Sequence, residues 1–111
     1  MYTADYKTDS GEEKRVAVKL LRVKASNSDR EEFLAEADLM LLLDHPLVVK
    51  VIGLCFSRKP WLLVLEFMPF KDLGFLMWMC VKYSLKLRMH EYLNYAVQIS
   101  EGMSFIASVR F

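Results

Sequence analysis

The clearest chemical opportunity in this sequence is a lysine set in a strand-like run of apolar residues, Val16-Ala17-Val18-Lys19. Glu36 follows seventeen residues later, inside a helical pattern. At about 100° per residue, Phe33, Leu34, Ala37, Met40 and Leu41 form one apolar stripe, and Glu36 falls at its edge, roughly 100° from the centre. From that position its carboxylate can meet a strand on which the helix packs. A Lys19–Glu36 ion pair is then geometrically natural, and it would keep an ammonium charged and aimed. The competing reading has Lys19 snorkelling at a sheet edge and Glu36 solvated. Spacing by itself leaves both open.

Other reactive residue types form no constellation. His45 and His90 lie far apart, with no Cys, Asp or Glu cluster at ligand spacing, so no metal site is expected. His45 reads as a loop residue before Pro46. Cys55 and Cys80 are 25 positions apart without a C-x-x-C spacing and read as buried thiols in a reducing compartment. The expected location is cytoplasmic.

The elements that must position Lys19 and Glu36 follow from patterning. Residues 1–6 alternate, with Tyr2, Ala4 and Tyr6 on one face, and the polar run 7–14 carries Ser10-Gly11, so a strand and a hairpin turn are expected. Residues 15–23 alternate β-branched and charged side chains and form the returning strand. Ser28-Asp29-Arg30-Glu31 has the form of a capping box, predicting a helix of about four turns that stops before Asp44-His45-Pro46. The β-branched runs 47–56 and 61–67, separated by Ser57-Arg58-Lys59-Pro60, predict a second hairpin. Beyond Met68-Pro69 two helices are expected, over about 72–83 and 89–107, with apolar spacing at Met89, Leu93, Ala96, Met103 and Ala107 in the second.

Composition bounds the rest. The chain has 111 residues and a formal charge of +1, so no basic field points to nucleic acid. The longest apolar run, Leu73 to Val81, is nine residues, against roughly 20 for a bilayer span. No membrane contact by this segment is expected. Hydrophobic residues make up 54%, high for so short a chain, which implies that part of the apolar surface belongs against other polypeptide.

Read as a whole, the string resembles the N-terminal half of a protein kinase catalytic domain, most closely a tyrosine kinase. Val16-Ala17-Val18-Lys19 is similar to the third-strand motif V-A-[IV]-K, and Phe33-Leu34-Ala35-Glu36-Ala37 to the F-L-x-E-A of the regulatory helix. Residues 44–53, DHPLVVKVIG, resemble D-H-P-x-[IV]-V-x-[LV]-[IL]-G; residues 65–68, LEFM, resemble the hinge. Residues 95–103, YAVQISEGM, resemble the long helix of the larger lobe. Each match is weak alone, and their order and spacing together are specific.

The resemblance implies an α+β fold: an antiparallel sheet with one regulatory helix over 1–65, lacking the Gly-rich loop, a hinge over 66–70, and the first two helices of the larger lobe over 71–111. It implies that Lys19 holds the α- and β-phosphates of ATP and that Glu36 fixes Lys19. Ala17 would cover the adenine, Leu65 would be the gatekeeper, and the Glu66 carbonyl and Met68 amide would bond the adenine edge. Asp72 would accept from a ribose hydroxyl, with a helix N-cap as its plain alternative. The implied activity is transfer of the ATP γ-phosphate to tyrosine of a protein substrate, in the cytoplasm or in the intracellular part of a membrane receptor.

Departures from the family pattern bear on that activity. The G-x-G-x-x-G-x-V loop would precede Tyr2, and H-R-D-L-x-x-x-N and D-F-G would follow Phe111, so the Mg²⁺ ligands and the remainder of the kinase domain are expected outside this sequence. Lys71 stands at a hinge-end position where the family often has Gly. The alternative reading is a non-catalytic kinase-like module that regulates or binds a partner protein.

Overall fold

A computed structural model describes residues 1–109; Arg110 and Phe111, the end of the expected larger-lobe segment, lie outside the described residues. Four strands, β1 (Tyr2–Lys7), β2 (Glu13–Leu20), β3 (Val51–Cys55) and β4 (Leu62–Glu66), make one antiparallel sheet in the order β1-β2-β4-β3. Helix α1 (Asn27–Leu42) lies between β2 and β3 in sequence, and α2 (Leu73–Lys82) and α3 (Met89–Ser108) complete the chain. The chain divides into two compact units, Met1–Phe67 and Met68–Phe111. The α+β class and the element order agree with the sequence expectation.

In the first unit, β1 and β2 pair from Tyr2–Val18 to Lys7–Glu13. Their turn contains Gly11 at φ +86°, a left-handed conformation that glycine adopts without steric cost. The central pair β2–β4 sets Ala17 opposite Leu65 and Lys19 opposite Leu63. Period-two alternation therefore brings Ala17, Lys19, Leu63 and Leu65 to one face. The core on this sheet is Phe33 and Ala37 of α1 with Leu63 and Leu65, and Leu63 is fully buried. Phe33 reaches the second hairpin through Phe56, at a ring separation of 6.1 Å, and Phe56 in turn meets Trp61 at 5.3 Å.

Several boundaries differ from the expected ones. The helix starts two residues early: Ser26, not Ser28, is the N-cap, its hydroxyl accepting from Asp29 N at 3.1 Å while Asp29 Oδ2 accepts from Ser26 N at 3.1 Å. Both Ser26-x-x-Asp29 and Ser28-x-x-Glu31 have the capping form. The earlier start gains another helical bond, Arg30 N to Ser26 O, and leaves Ser28 inside the first turn. Ser26→Ala is expected to cost about 0.5–2 kcal/mol, and Ser28→Ala much less, in urea unfolding. The expected strand over 47–56 shortens to β3 because Val48 N bonds to His45 O and Leu47 N to His45 Nδ1, closing a turn after Pro46. At the other end of the stripe Leu41 is exposed, and Leu43, just past the helix, is buried instead.

In the second unit, Asp72 caps α2, with Oδ1 accepting from Phe75 N at 2.7 Å. Helix α3 opens with Glu91 Oε2 accepting from Arg88 N at 2.8 Å. The spacing chosen for α3 from sequence, Met89, Leu93, Ala96, Met103 and Ala107, marks an exposed side, whereas the least exposed residues, apart from the capping Glu91, are Tyr95, Gly102, Phe105 and Ile106. In an apolar helix two stripes satisfy the same period, and periodicity cannot choose between them.

Candidate functional site

Lys19 sits near the end of β2, where the fully buried Leu63 of β4 lies opposite and packs the strand against α1. Glu36 lies one position before the buried Ala37, so the residue that seats the helix also aims its neighbour at the sheet. The result is an ion pair: Lys19 Nζ donates to Glu36 Oε2 at 2.5 Å. The side chains keep 39% and 41% of their exposure, so the pair is half open to solvent. Solvent screening limits what such a pair adds to stability to roughly 0–1 kcal/mol. Its geometric effect is larger, because one carboxylate oxygen fixes the position of an ammonium that has two further N–H donors. Among the described residues this is the only ion pair within 4.0 Å.

A cavity of about 500 Å³ opens beside the pair, lined by Lys19, Leu21, Arg22, Asp29, Phe33 and Glu36 among others. Sequence patterning did not single out Arg22 or Asp29 for this site. Arg22 follows β2 and Asp29 lies in the first turn of α1, and their meeting at one cavity is a tertiary arrangement that no local pattern marks.

The other residues named from sequence fall in two groups. Ala17 and Leu65 are cross-strand partners on the face that carries Lys19, with Ala17 packed against the core and Leu65 part of it. Glu66 ends β4, where its amide donates to Lys50 O at 2.9 Å and its carboxylate accepts from Lys50 N at 3.2 Å. Met68 and Asp72 belong to the second unit. There Met68 O accepts from Lys71 N, and the Asp72 carboxylate is engaged as a helix cap. Lys71 has φ +59°, so the backbone holds the left-handed conformation that suits glycine although a lysine occupies it. Gly74 is matched to its place, since a Cβ there would come within 3.1 Å of Asp72 Oδ1.

Cys55 and Cys80 are free thiols, half-buried and buried. Among the described residues no three of His, Cys, Asp and Glu come together as metal ligands. Among them also, no helix is long and apolar enough to cross a membrane.

A sheet with one helix on its face, and a strand lysine tied to a helix glutamate, is the arrangement expected of the smaller lobe of a kinase domain. The chain belongs to that family: the profile for protein tyrosine and serine/threonine kinases matches residues 1–111. It is 34% identical over 110 residues to the tyrosine-protein kinase transforming protein ros of UR2 avian sarcoma virus, an alignment covering 96% of this chain and 27% of that protein. It is 33% identical over 114 residues to the tyrosine-protein kinase receptor TYRO3 of Gallus gallus, covering 95% and 13%. Tyrosine-protein kinase Fer of Rattus norvegicus is 29% identical over 102 residues, covering 91% and 12%. The chain thus spans about a quarter or less of the length of these relatives.

Proposed function

We propose that this chain is the nucleotide-holding part of a protein tyrosine kinase, which transfers the γ-phosphate of ATP to tyrosine of a protein substrate in the cytoplasm. The supporting observation is the Lys19–Glu36 contact, which joins a strand and a helix across seventeen residues. In this reading Lys19 donates to the α- and β-phosphates, and Glu36 holds Lys19 so that its remaining N–H groups face them. Ala17 and Leu65, neighbours across β2 and β4, give the adenine an apolar wall. The family resemblance assigns the adenine edge to the Glu66 carbonyl and the Met68 amide, and the ribose to Asp72. Mg²⁺ neutralises phosphate charge in this chemistry, and the family motifs that hold it, H-R-D-L-x-x-x-N and D-F-G, do not occur in these 111 residues. Tyrosine as acceptor is supported by the relatives, all three named as tyrosine-protein kinases.

A lysine-reactive acyl phosphate of ATP tests this on the 111-residue chain. Peptide mapping is expected to find the label on Lys19, competed away by ATP and lowered about tenfold by Glu36→Gln, because an unaimed ammonium spends less time at the phosphates. Label spread over surface lysines and indifferent to ATP would overturn the reading. Thermal and urea stability should change by no more than about 1 kcal/mol in Glu36→Gln, since the pair is half exposed.

A further inference from the structure

Helix α2 presents an unusual outward side. Its inner side is Cys80, which is buried, with Leu76, Met77 and Met79 partly covered. On the opposite side Gly74, Trp78 and Val81 fall within about 60° of one another at helical spacing, and Trp78 and Val81 keep 53% and 82% of their exposure. Along the rim runs a ladder of cations and rings. Lys71 Nζ lies 4.7 Å from the Phe75 ring centre, and Phe75 stacks on Trp78 at 5.7 Å. Lys82 Nζ then lies 4.8 Å from Trp78 and 5.5 Å from Tyr83. The next turn adds exposed Tyr83, Leu85, Lys86 and Arg88.

Charge is segregated here. Residues 68–90 contain four basic side chains, Lys71, Lys82, Lys86 and Arg88, and one acidic, Asp72, in a chain whose total is only +1. The Asp72 carboxylate is turned to the Phe75 amide, and among the described residues none of the four basic groups has a carboxylate within ion-pair distance. An outward apolar ridge carrying Trp, edged by Tyr and unpaired lysines, matches a layer that is apolar inside and anionic at its surface. A second copy meeting the same face would oppose two positive rims.

We propose that this face of α2 lies on an anionic phospholipid bilayer, with Trp78 and Val81 entering the headgroup–acyl boundary and Lys71, Lys82 and Lys86 meeting lipid phosphates. The helix has ten residues, so it lies on the surface and does not cross. The expectation of no membrane contact rested on span length, which excludes crossing only. The proposal is independent of nucleotide binding.

The test uses the monomeric 111-residue chain with Trp61→Phe, which leaves Trp78 as the sole indole. Vesicles of phosphatidylcholine alone are compared with vesicles containing about 30% phosphatidylserine, with and without brominated acyl chains. Binding to the anionic vesicles is expected to be on the order of 10²-fold tighter, from about three net charges near the surface. Trp78 emission should shift to the blue and be quenched by bromine. Lys82→Glu with Lys86→Glu, two exposed changes that leave the packed side of α2 intact, should weaken binding at least tenfold. In the companion chain with Trp78→Phe, Trp61 should stay unquenched. Equal quenching of both tryptophans would mean insertion of an unfolded chain and would overturn the proposal. So would equal affinity for both vesicle types, no binding, binding indifferent to the double charge reversal, or self-association in place of vesicle binding.

Discussion

No phosphate is expected to pass from ATP to a Glu/Tyr copolymer when the 111-residue chain is the only protein present. Phosphoryl transfer depends on a base near the acceptor hydroxyl and on metal ions that bridge the phosphates. In the kinase pattern these come from H-R-D-L-x-x-x-N and D-F-G, and neither string occurs in this sequence. In the proposed reading Lys19 and Glu36 place the nucleotide, and placement without those groups leaves most of a rate enhancement of 10⁶ or more unrealised. Radiolabel counts should therefore equal the no-enzyme background in the wild type and in Lys19→Met alike. Turnover present in the wild type and absent in Lys19→Met would overturn this. The opposite sensitivity is expected once the segment replaces the matching stretch of the complete transforming protein ros kinase, with which it shares 34% identity. In that setting Lys19→Met should lower turnover by roughly 10²–10³, the usual loss when a preorganised charge is removed from developing phosphate charge.

The Lys19–Glu36 pair is partly legible in the sequence because the relevant signals are local. Val16-Ala17-Val18-Lys19 is a strand pattern with one charge out of place, and Glu36 lies at the edge of its helix stripe; the two periodicities permit the pair, and the order of family motifs selects it over the solvated alternative. The fold class and element order rest on similar local patterns. What escaped was the part set by competition between equivalent choices. Two capping boxes overlap at residues 26–31, and the earlier one won by an added helical bond. The β-branched run 47–50 is strand-like in propensity, yet the turn closed by His45 and Pro46 takes it first. Leu41 obeys the helix period but is exposed, whereas Leu43, just past the helix, is buried. The cavity residues Arg22 and Asp29 meet only in the tertiary arrangement, and Leu63 faces Lys19 only through strand register. Asp72 shows why a residue type does not decide a role, since a carboxylate that the resemblance assigns to a ribose is the N-cap of α2.

Stability should divide the chain unevenly. Hydrogen exchange is expected to be slowest at the centres of β2 and β4 and around Phe33–Ala37, and at least about 100-fold faster throughout α2 and α3. The first unit has Val16, Phe33, Ala37, Leu43, Leu63 and Leu65 buried, whereas in residues 68–109 only Cys80 and Gly102 are buried. A unit of this size, near the length of about 40 residues at which disulfides or metals usually become necessary, has neither here among its described residues. Its helix α3 leaves Met89, Leu93, Val97, Ile99 and Met103 exposed. Each such side chain forgoes roughly 1.5–3 kcal/mol of burial, against about 5–15 kcal/mol for a whole domain, so two or three are enough to remove the margin. Strand β1 adds a second hazard, since it is one of the sheet's two edge strands and all six of its residues are exposed, which invites edge-to-edge pairing. Calorimetry on monomeric protein should then show no sharp transition above about 45 °C, and an apolar dye should bind before heating. Leu63→Ala tests where the remaining cooperativity resides: removing a fully buried leucine typically costs about 2–5 kcal/mol and should abolish the slow exchange in β2, β4 and α1 together. A single sharp transition with uniform protection from Tyr2 to Ser108 would show instead that the second unit is held as firmly as the first, and the exposed side of α3 would then have to be stable in water as it stands.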